Sequence, residues 1–257
     1  MFEKLFVPIA IIIILILTVS GIASFMGVNP LDLPIPNHYK NSNWKSIDEL
    51  DNVEIKEVKN LEVSGGIQTN LEKTEVAYLS PQKIENEIHY QVQEDTLLVG
   101  FRPKSRIKLA FNNLNENIIN IGLHDIEKIS VVGSGTINSA ELSVDNLATS
   151  ISGSGNINLT QINLRTLNSN IDGSGKLNID GQAELVEINI SGSGEFNGQN
   201  LESTKNTINI SGSGQVRTNS KELDVEISGS GSVEYRGLPE IKQEVSGSGR
   251  VYKYQGN

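Results

Sequence analysis

The sequence predicts an all-β fold: a single-stranded parallel β-helix, or solenoid, with about 20 residues per coil, preceded by one N-terminal transmembrane or signal helix. A Gly-Ser-Gly triplet recurs seven times, at steps of 20, 20, 19, 20, 17 and 18 residues. Its copies begin at Gly133, Gly153, Gly173, Gly192, Gly212, Gly229 and Gly247. A fixed period over so many copies indicates a solenoid in which each copy forms one coil. The second observation is an uncharged apolar segment near the N-terminus, from Leu5 to Val28.

The apolar segment predicts export. It holds 24 residues without a charge, and roughly 20 apolar residues span a bilayer as a helix. Lys4 and the amino terminus precede the segment and favour a cytoplasmic N-terminus. A cleaved signal peptide is the alternative, because Gly21-Ile22-Ala23 offers small residues at plausible cleavage positions. In either case the rest of the chain lies outside the cytoplasm, tethered to the membrane through residues 5–28 or secreted after cleavage.

We expect four segments along the chain. Residues 1–28 form the signal anchor or signal peptide, and residues 29–50 form an extended linker, because the three prolines between positions 30 and 36 disfavour a helix. Residues 51–128 form an N-terminal β region, and residues 129–253 form the Gly-Ser-Gly repeats. A solenoid needs atypical terminal repeats, because an open end exposes the stacked apolar side chains and the unpaired strand edges. The N-terminal β region is therefore interpreted as the opening turns or cap.

Short alternating segments predict the strands of the N-terminal β region. They are Val53–Val63, Glu87–Gln93, Thr96–Phe101, Arg106–Phe111 and Lys128–Val132. Gly65-Gly66 predicts a turn, and Glu94-Asp95 predicts a hairpin between the second and third of these strands.

Aligning the repeats on the first glycine shows the inward side of each coil. Two residues before that glycine every copy is β-branched, and four residues after it every copy is apolar. The first column is Val131, Ile151, Ile171, Ile190, Ile210, Ile227 and Val245. The second is Ile137, Ile157, Leu177, Phe196, Val216, Val233 and Val251. Since side chains alternate along a strand, the triplet is a corner between two strands that both point apolar residues inward.

Polar columns flank the inward ones. Three residues before the first glycine stand Ser130, Ser150, Asn170, Asn189, Asn209, Glu226 and Glu244. Five residues after it stand Asn138, Asn158, Asn178 and Asn197, followed by Arg217, Glu234 and Tyr252. With coils about 4.8 Å apart, we expect the serines and asparagines to stack as hydrogen-bonded ladders along a rod on the order of 30 Å long. Glycine suits the corner because it tolerates positive φ and has no side chain to crowd the next coil.

Composition excludes several classes of function. The net charge is -10 and no run of Lys and Arg occurs, so we expect no nucleic-acid partner. The chain has no cysteine, which excludes disulfides, thiolate nucleophiles and Cys-ligated zinc.

A β-helix can carry polysaccharide lyases or hydrolases, which need paired carboxylates in one groove. The candidates here are Asp172, Asp180, Glu184, Glu187 and Glu195, with Lys176 nearby. No two of them recur at a column position that would stack adjacent carboxylates outward, so we interpret them as a solvated face. A calcium-binding nonapeptide would need an aspartate after its glycines, and the copies here continue with other residues.

Neither histidine nor serine completes a recognisable site. His38, His89 and His124 are far apart in sequence and lack metal-ligand spacing. A serine nucleophile needs one strand-to-helix turn and a histidine partner, which seven equivalent corner serines do not provide. We therefore expect no catalytic, cofactor-binding or metal-binding residue.

These features resemble the putative auto-transporter adhesin, head GIN domain family, over roughly Val53 to Val251. The resemblance lies in the Gly-Ser-Gly ladder, the apolar N-terminus, TLLVGF followed by DIEKISVVGSGTIN, and the stretch Gly229 to Val251. The Gly-Ile-Asn of the family name occurs here with an insertion or a substitution, as in Gly135-Thr136-Ile137-Asn138. The resemblance implies an exported β-helical domain and, by the family's name, adhesion. Export, the polar ladders and the missing catalytic chemistry together lead us to expect a non-catalytic domain of the bacterial cell envelope that binds a glycan or an envelope protein. A polysaccharide-active enzyme and a structural or signalling envelope protein remain the alternatives.

Overall fold

The structure is a computed structural model that describes residues 44–47, 53–55, 58–84, 88–101 and 117–255. The apolar segment 5–28, most of the linker 29–50, the predicted strand Arg106–Phe111 and His38 lie outside the described residues. The described part of the chain is all strand, turn and loop. Within it, no helix has the length and apolar character that a membrane crossing requires.

The described strands all belong to one sheet. The N-terminal region has β1 (Lys45–Ser46), β2 (Val53–Glu54), β3 (Asn60–Ser64), β4 (Gln68–Lys73), β5 (Tyr78–Lys83), β6 (Ile88–Gln93), β7 (Thr96–Phe101) and β8 (Ile118–Leu123). The repeat region has β9 (Lys128–Gly133), β10 (Thr136–Ala140), β11 (Ser143–Gly153), β12 (Asn156–Gly173), β13 (Lys176–Gly192), β14 (Glu195–Gly212), β15 (Gln215–Gly229), β16 (Ser232–Arg236), β17 (Glu240–Gly247) and β18 (Arg250–Lys253).

The repeats wind into a parallel β-solenoid of about six turns, as the period predicts. Each long strand runs from one triplet to the next and pairs in parallel with the strands of the coils before and after it. The first glycines stack in register, so that Gly153 pairs with Gly173 and Gly173 with Gly192. Irregularities occur between Leu159 and Ile162 and between Asn197 and Glu202, where coils of unequal length must meet.

The corner geometry explains why both glycines recur. Gly173 has φ 115°, and a Cβ placed there would lie 2.6 Å from the carbonyl oxygen of Gly153 one coil earlier. That oxygen accepts the Ser174 N–H at 2.8 Å. A Cβ on Gly175 would lie 2.3 Å from Cγ2 of Ile151, which is a core residue. The corner therefore has no room for a side chain on either glycine.

Both predicted inward columns are buried through Ile227 and Val233. A third inward column lies four residues before the first glycine, and it is not uniformly apolar. Its members are Ile129, Thr149, Ser169, Ile188, Ile208, Val225 and Gln243. In the final coil the residues of the two inward columns are no longer fully buried: Val245 is 38% exposed and Val251 is half-buried.

The N-terminal region stacks its coils out of chain order. β3 pairs in parallel with both β7 and β9, and β4 pairs in parallel with both β8 and β10. The coil of β3 and β4 is thus inserted between two coils that follow it in sequence. Its Gly65-Gly66 turn is another corner, with the Gly65 N–H donating to the Val132 carbonyl at 3.0 Å. The predicted turn is confirmed. The N-terminal strands β3 and β4 pair directly with β9 and β10 of the repeats, an order of stacking that the sequence did not predict.

Antiparallel strands continue the stack at this end. β6 and β7 form the predicted hairpin, which is confirmed. β5 pairs antiparallel with β8, and the two-residue strands β1 and β2 pair antiparallel with β6 and β5. Edges this short limit pairing with other chains.

Replacing Gly173 by alanine is expected to lower the midpoint of thermal unfolding by about 5–10 °C. The reason is the overlap of the new Cβ with the Gly153 carbonyl at a positive φ. Circular dichroism of the full chain measures the change, with Ser174→Ala at the neighbouring exposed position as the matched control. Equal midpoints for the two variants would contradict this account of the corner.

Candidate functional site

Two outward faces meet at the Gly-Ser-Gly corner. The strands after the corner carry what we call the asparagine face, which is the column Asn120, Asn70, Asn138, Asn158, Asn178 and Asn197. The strands before the corner carry what we call the serine face, whose polar members are Asn170, Asp172, Asn189, Ser191, Asn209, Ser211, Glu226 and Ser228. Because the coils stack in register, each face repeats similar side chains once per coil.

Hydrogen bonds join the asparagine face into a ladder, as the sequence predicts. The Asn178 amide donates to Oδ1 of Asn158 at 2.7 Å, and the Asn158 amide donates to Oδ1 of Asn138 at 2.8 Å. The Asn197 amide donates to Oδ1 of Asn178 at 3.3 Å. A matching bond of 2.9 Å joins Asn70 to Asn120 in the N-terminal coils. The ladder gives the half-buried asparagine amides hydrogen-bond partners, because identical side chains stack on one another in successive coils.

Charges replace amides beyond Asn197. Glu195 lies 3.2 Å from Lys176 Nζ and also accepts a hydrogen bond from Arg217, which follows Asn197 in the column. Arg236 donates to Gln199 at 3.3 Å and lies 4.7 Å from the ring centre of Tyr254. Lys176, Arg217 and Arg236 at this end of the face are therefore all engaged in contacts within the chain.

The serine face carries a second, shorter ladder. The Asn209 amide donates to Oδ1 of Asn189 at 2.8 Å, and the Asn189 amide donates to Oδ1 of Asn170 at 3.2 Å. Beside this ladder the residue before the first glycine is serine in most coils, and Ser191 and Ser211 are exposed. The members line a shallow depression of about 360 Å³. The face therefore offers amide and hydroxyl groups in rows to a bound molecule.

Glu62 stands in the N-terminal continuation of the serine-face column, paired with Ser130. One of its carboxylate oxygens is buried and accepts no hydrogen bond from the described residues. Burial raises the pKa of Glu62 above its usual 4.5, and the nearby charge of Lys128 acts in the opposite direction.

A larger groove of about 1150 Å³ lies near the start of β11. Its lining carries acidic side chains, including Asp145 and Glu184, and two cations. Both cations are engaged with the groove's own wall: Lys73 donates to the Ser143 carbonyl at 3.1 Å, and Arg165 donates to Asn146 at 2.8 Å. The groove is open to solvent, and its own wall engages both of its cations.

The structure does not bring the candidate carboxylates together. Asp172 lies on the serine face, Glu184 in the large groove, and Glu195 on the asparagine side with its two cations. Asp180 accepts the Gln161 N–H at 2.7 Å, where Gln161 has φ 54°, so it stabilises the irregularity of β12 between Leu159 and Ile162. Glu187 accepts a hydrogen bond from Asn189 at 3.3 Å.

Two other carboxylate pairs were not among the candidates. Glu226 of β15 pairs in register with Glu244 of β17, and Glu222 pairs with Glu240. The columns aligned on the first glycine already place Glu226 beside Glu244, so the sequence contained the signal that identifies this pair. Their stacking concentrates negative charge at the last coil.

A buried polar cluster interrupts the core near the last long strands. The Ser203 hydroxyl lies 2.6 Å from Oδ1 of Asn206 and 2.9 Å from the Asn219 carbonyl oxygen, within hydrogen-bond distance of both acceptors. The Asn206 amide donates to the Thr218 hydroxyl. The cluster satisfies polar groups inside the solenoid.

The two described histidines lie apart from these faces. His89 is buried in β6, and His124 is exposed, 3.2 Å from Asp125. In the part of the chain that the structure describes, no group of three or more His, Cys, Asp and Glu side chains could hold a metal ion.

The fold and its two faces define a parallel β-solenoid built from glycine corners and polar ladders. The chain belongs to the putative auto-transporter adhesin, head GIN domain family, whose model matches residues 57–239. This confirms the resemblance that the repeats carry. No curated protein matches the chain in sequence.

Solved structures share the fold. A putative adhesin from Bacteroides fragilis is 21% identical with a TM-score of 0.69, over 82% of this chain and 97% of its own. A putative lipid binding protein from Parabacteroides distasonis is 24% identical with a TM-score of 0.61, over 84% of this chain and 98% of its own. A putative adhesin from Parabacteroides merdae is 19% identical with a TM-score of 0.57, over 84% and 98%.

Replacing Asn178 by alanine is expected to cost about 1–2 kcal/mol in the free energy of unfolding. The change removes one ladder bond on each side and leaves the Asn158 oxygen and the Asn197 amide without that partner. Denaturant unfolding measures it, with Asn156→Ala as the control, since Asn156 occupies a neighbouring outward column. A loss as large in the control would contradict a special role for the ladder.

Replacing Glu62 by glutamine is expected to raise the unfolding midpoint at pH 7.5 by about 2–4 °C. The folded pKa lies above the unfolded one, so the charged carboxylate destabilises the fold at neutral pH. This penalty fades as the pH falls through the folded pKa toward 4.5, where Glu62 is increasingly protonated in both states. Thermal unfolding of both proteins between pH 4 and 7.5 measures the difference; a gap that widens on acidification contradicts the assignment.

Proposed function

We propose that this chain is a non-catalytic, adhesin-like domain of the bacterial cell envelope that binds a neutral glycan along its serine face. The observation that carries the proposal is the row of asparagine amides and serine hydroxyls that crosses successive coils in one shallow depression. Membership of the adhesin family supports it.

The chemistry of the serine face suits sugar hydroxyls. The Asn189 amide donates to Asn170 and to Glu187, whereas the Asn209 amide uses one N–H for Asn189 and keeps a second donor. Each serine hydroxyl both donates and accepts. The rows repeat at about 4.8 Å, the distance between coils. Asp172 and Glu226 on the face, with a net charge of -10 for the chain, disfavour a polyanion. A neutral glycan therefore fits better than an acidic one.

The proposal includes the arrangement of the whole chain. Residues 1–28 anchor the protein in the membrane through the segment 5–28, and residues 29–50 act as a tether. The N-terminal β region 51–128 and the repeats 129–253 then stand together outside the cytoplasm. Mass spectrometry of the mature N-terminus distinguishes a retained anchor from a cleaved signal peptide.

The absence of catalysis is part of the proposal. Its support is the separation of Asp172, Glu184 and Glu195 onto different surfaces, since glycoside cleavage uses two carboxyl groups about 5–10 Å apart. A polysaccharide-active enzyme would release new reducing or unsaturated ends, whereas a binding domain leaves the polymer intact.

The full chain is expected to retain neutral polysaccharides on a glycan array or in a pull-down. Replacing Ser191 and Ser211 together by arginine is expected to weaken retention about tenfold or more, because the long side chains cover the depression and displace its hydrogen bonds. The matched control is Gln215→Arg, an exposed change on the other side of the corner. The proposal fails if no neutral glycan binds, if the control loses binding equally, or if new reducing ends appear.

A further inference from the structure

The outer edge of β17 is an unpaired strand edge beside the core. β17 pairs with β15 on one side, and no described strand pairs with it on the other. All of its residues are exposed, whereas alternate residues of β15 are buried. Ile241 and Val245 continue the inward columns above Leu223 and Ile227, and each is 38% exposed. An edge of eight residues offers a row of free backbone donors and acceptors to another strand.

The two ends of the described solenoid differ. At the N-terminal end the stack finishes in the two-residue strands β1 and β2, which run antiparallel to their neighbours. These short edges do not match the length of β17. A head-to-tail stack of copies is therefore disfavoured, and a contact between two β17 edges is favoured.

We propose that the β17 edge is an interface between two copies of this chain, paired as antiparallel strands about a two-fold axis through Gln243. In this register Ile241 lies opposite Val245 of the partner subunit. Lys242 lies opposite Glu244 of the partner subunit. The two strands then continue one sheet from one solenoid into the other.

Side-chain direction and charge select this register. Opposite residues of an antiparallel pair point to the same face of the sheet. Inward Ile241 thus meets inward Val245, and outward Lys242 meets outward Glu244. Moving the axis by one residue to Lys242 would set Lys242 against its own copy and Glu240 against Glu244. An axis through Glu244 would set that carboxylate against its own copy.

The interface also balances charge at the last coil. Glu244 stacks on Glu226, and the one cation of β17, Lys242, lies 3.5 Å from Asp224. Pairing brings Lys242 of the partner subunit next to the stacked carboxylates. On the inward side Gln243 replaces the apolar residue of the coil below, Val225. Two Gln243 amides facing each other across the axis satisfy one another, and a buried amide pair favours one register over its neighbours.

Cysteine cross-linking of the full chain tests the register, because the native sequence has no cysteine. Gln243→Cys in membranes is expected to give a disulfide-linked dimer on mild oxidation, since opposed residues of antiparallel strands lie within disulfide range. Ile241→Cys alone is expected to stay monomeric, because the two copies of that residue lie about 13 Å apart along the strands. Ile241→Cys combined with Val245→Cys is expected to cross-link. Ser228→Cys, exposed on β15, is the control.

A charge exchange tests the pairing independently. Lys242→Glu in the Gln243→Cys chain is expected to lower the cross-linked fraction about tenfold, because it opposes like charges in both symmetric pairs. Adding Glu244→Lys is expected to restore it. Sedimentation of the unmodified full chain in detergent is expected to give the mass of a dimer. A monomer, equal cross-linking at Ser228→Cys, cross-linking to a different protein, or no response to the charge exchange would each overturn the proposal.

Discussion

The close approach of one glycine corner to the next is the constraint on which the rest of the structure depends. A side chain on Gly153 would lie 2.6 Å from the Gly133 carbonyl, and the same overlap recurs up the stack. The serine N–H between the glycines bonds the corner below at 2.7–2.8 Å. Because a coil cannot shift along its neighbour without breaking this contact, every strand is held in one register. Inward columns and outward ladders follow from that register.

A fixed register also decides what kind of site the protein can have. Residues of one type meet their own kind in the next coil, so Asn158 bonds Asn138 and Asn209 bonds Asn189. Such stacking spreads donors and acceptors along a face and does not gather unlike groups into a pocket. The scattered carboxylates are consistent with this. A face that repeats the same side chains in each coil is better suited to bind a polymer with its own repeat than a small substrate.

The ends of the solenoid are where this regularity stops. At the N-terminal end, β3 and β4 are inserted between later coils, and antiparallel strands finish the stack. At the other end, β17 continues the columns with charged and exposed residues. The interior changes as well, with the cluster around Asn206 placing polar groups where other coils have leucine or valine. Partner choice and solubility are therefore expected to depend on the ends, and ligand binding on the faces between them.

The sequence by itself determined the repeat, its corner, both apolar columns and the hairpin at Glu94-Asp95, because local alternation and a fixed period are written along the chain. It also placed the asparagine ladder correctly, since register follows from the aligned glycines. Only the tertiary structure decided that β3 lies between β7 and β9, because pairing between distant segments leaves no local signal. It likewise decided that Glu195 is engaged by Lys176 and Arg217, and that Ser203, Asn206 and Thr218 meet inside the core. Those contacts depend on how unequal coils fit together, which the period does not encode.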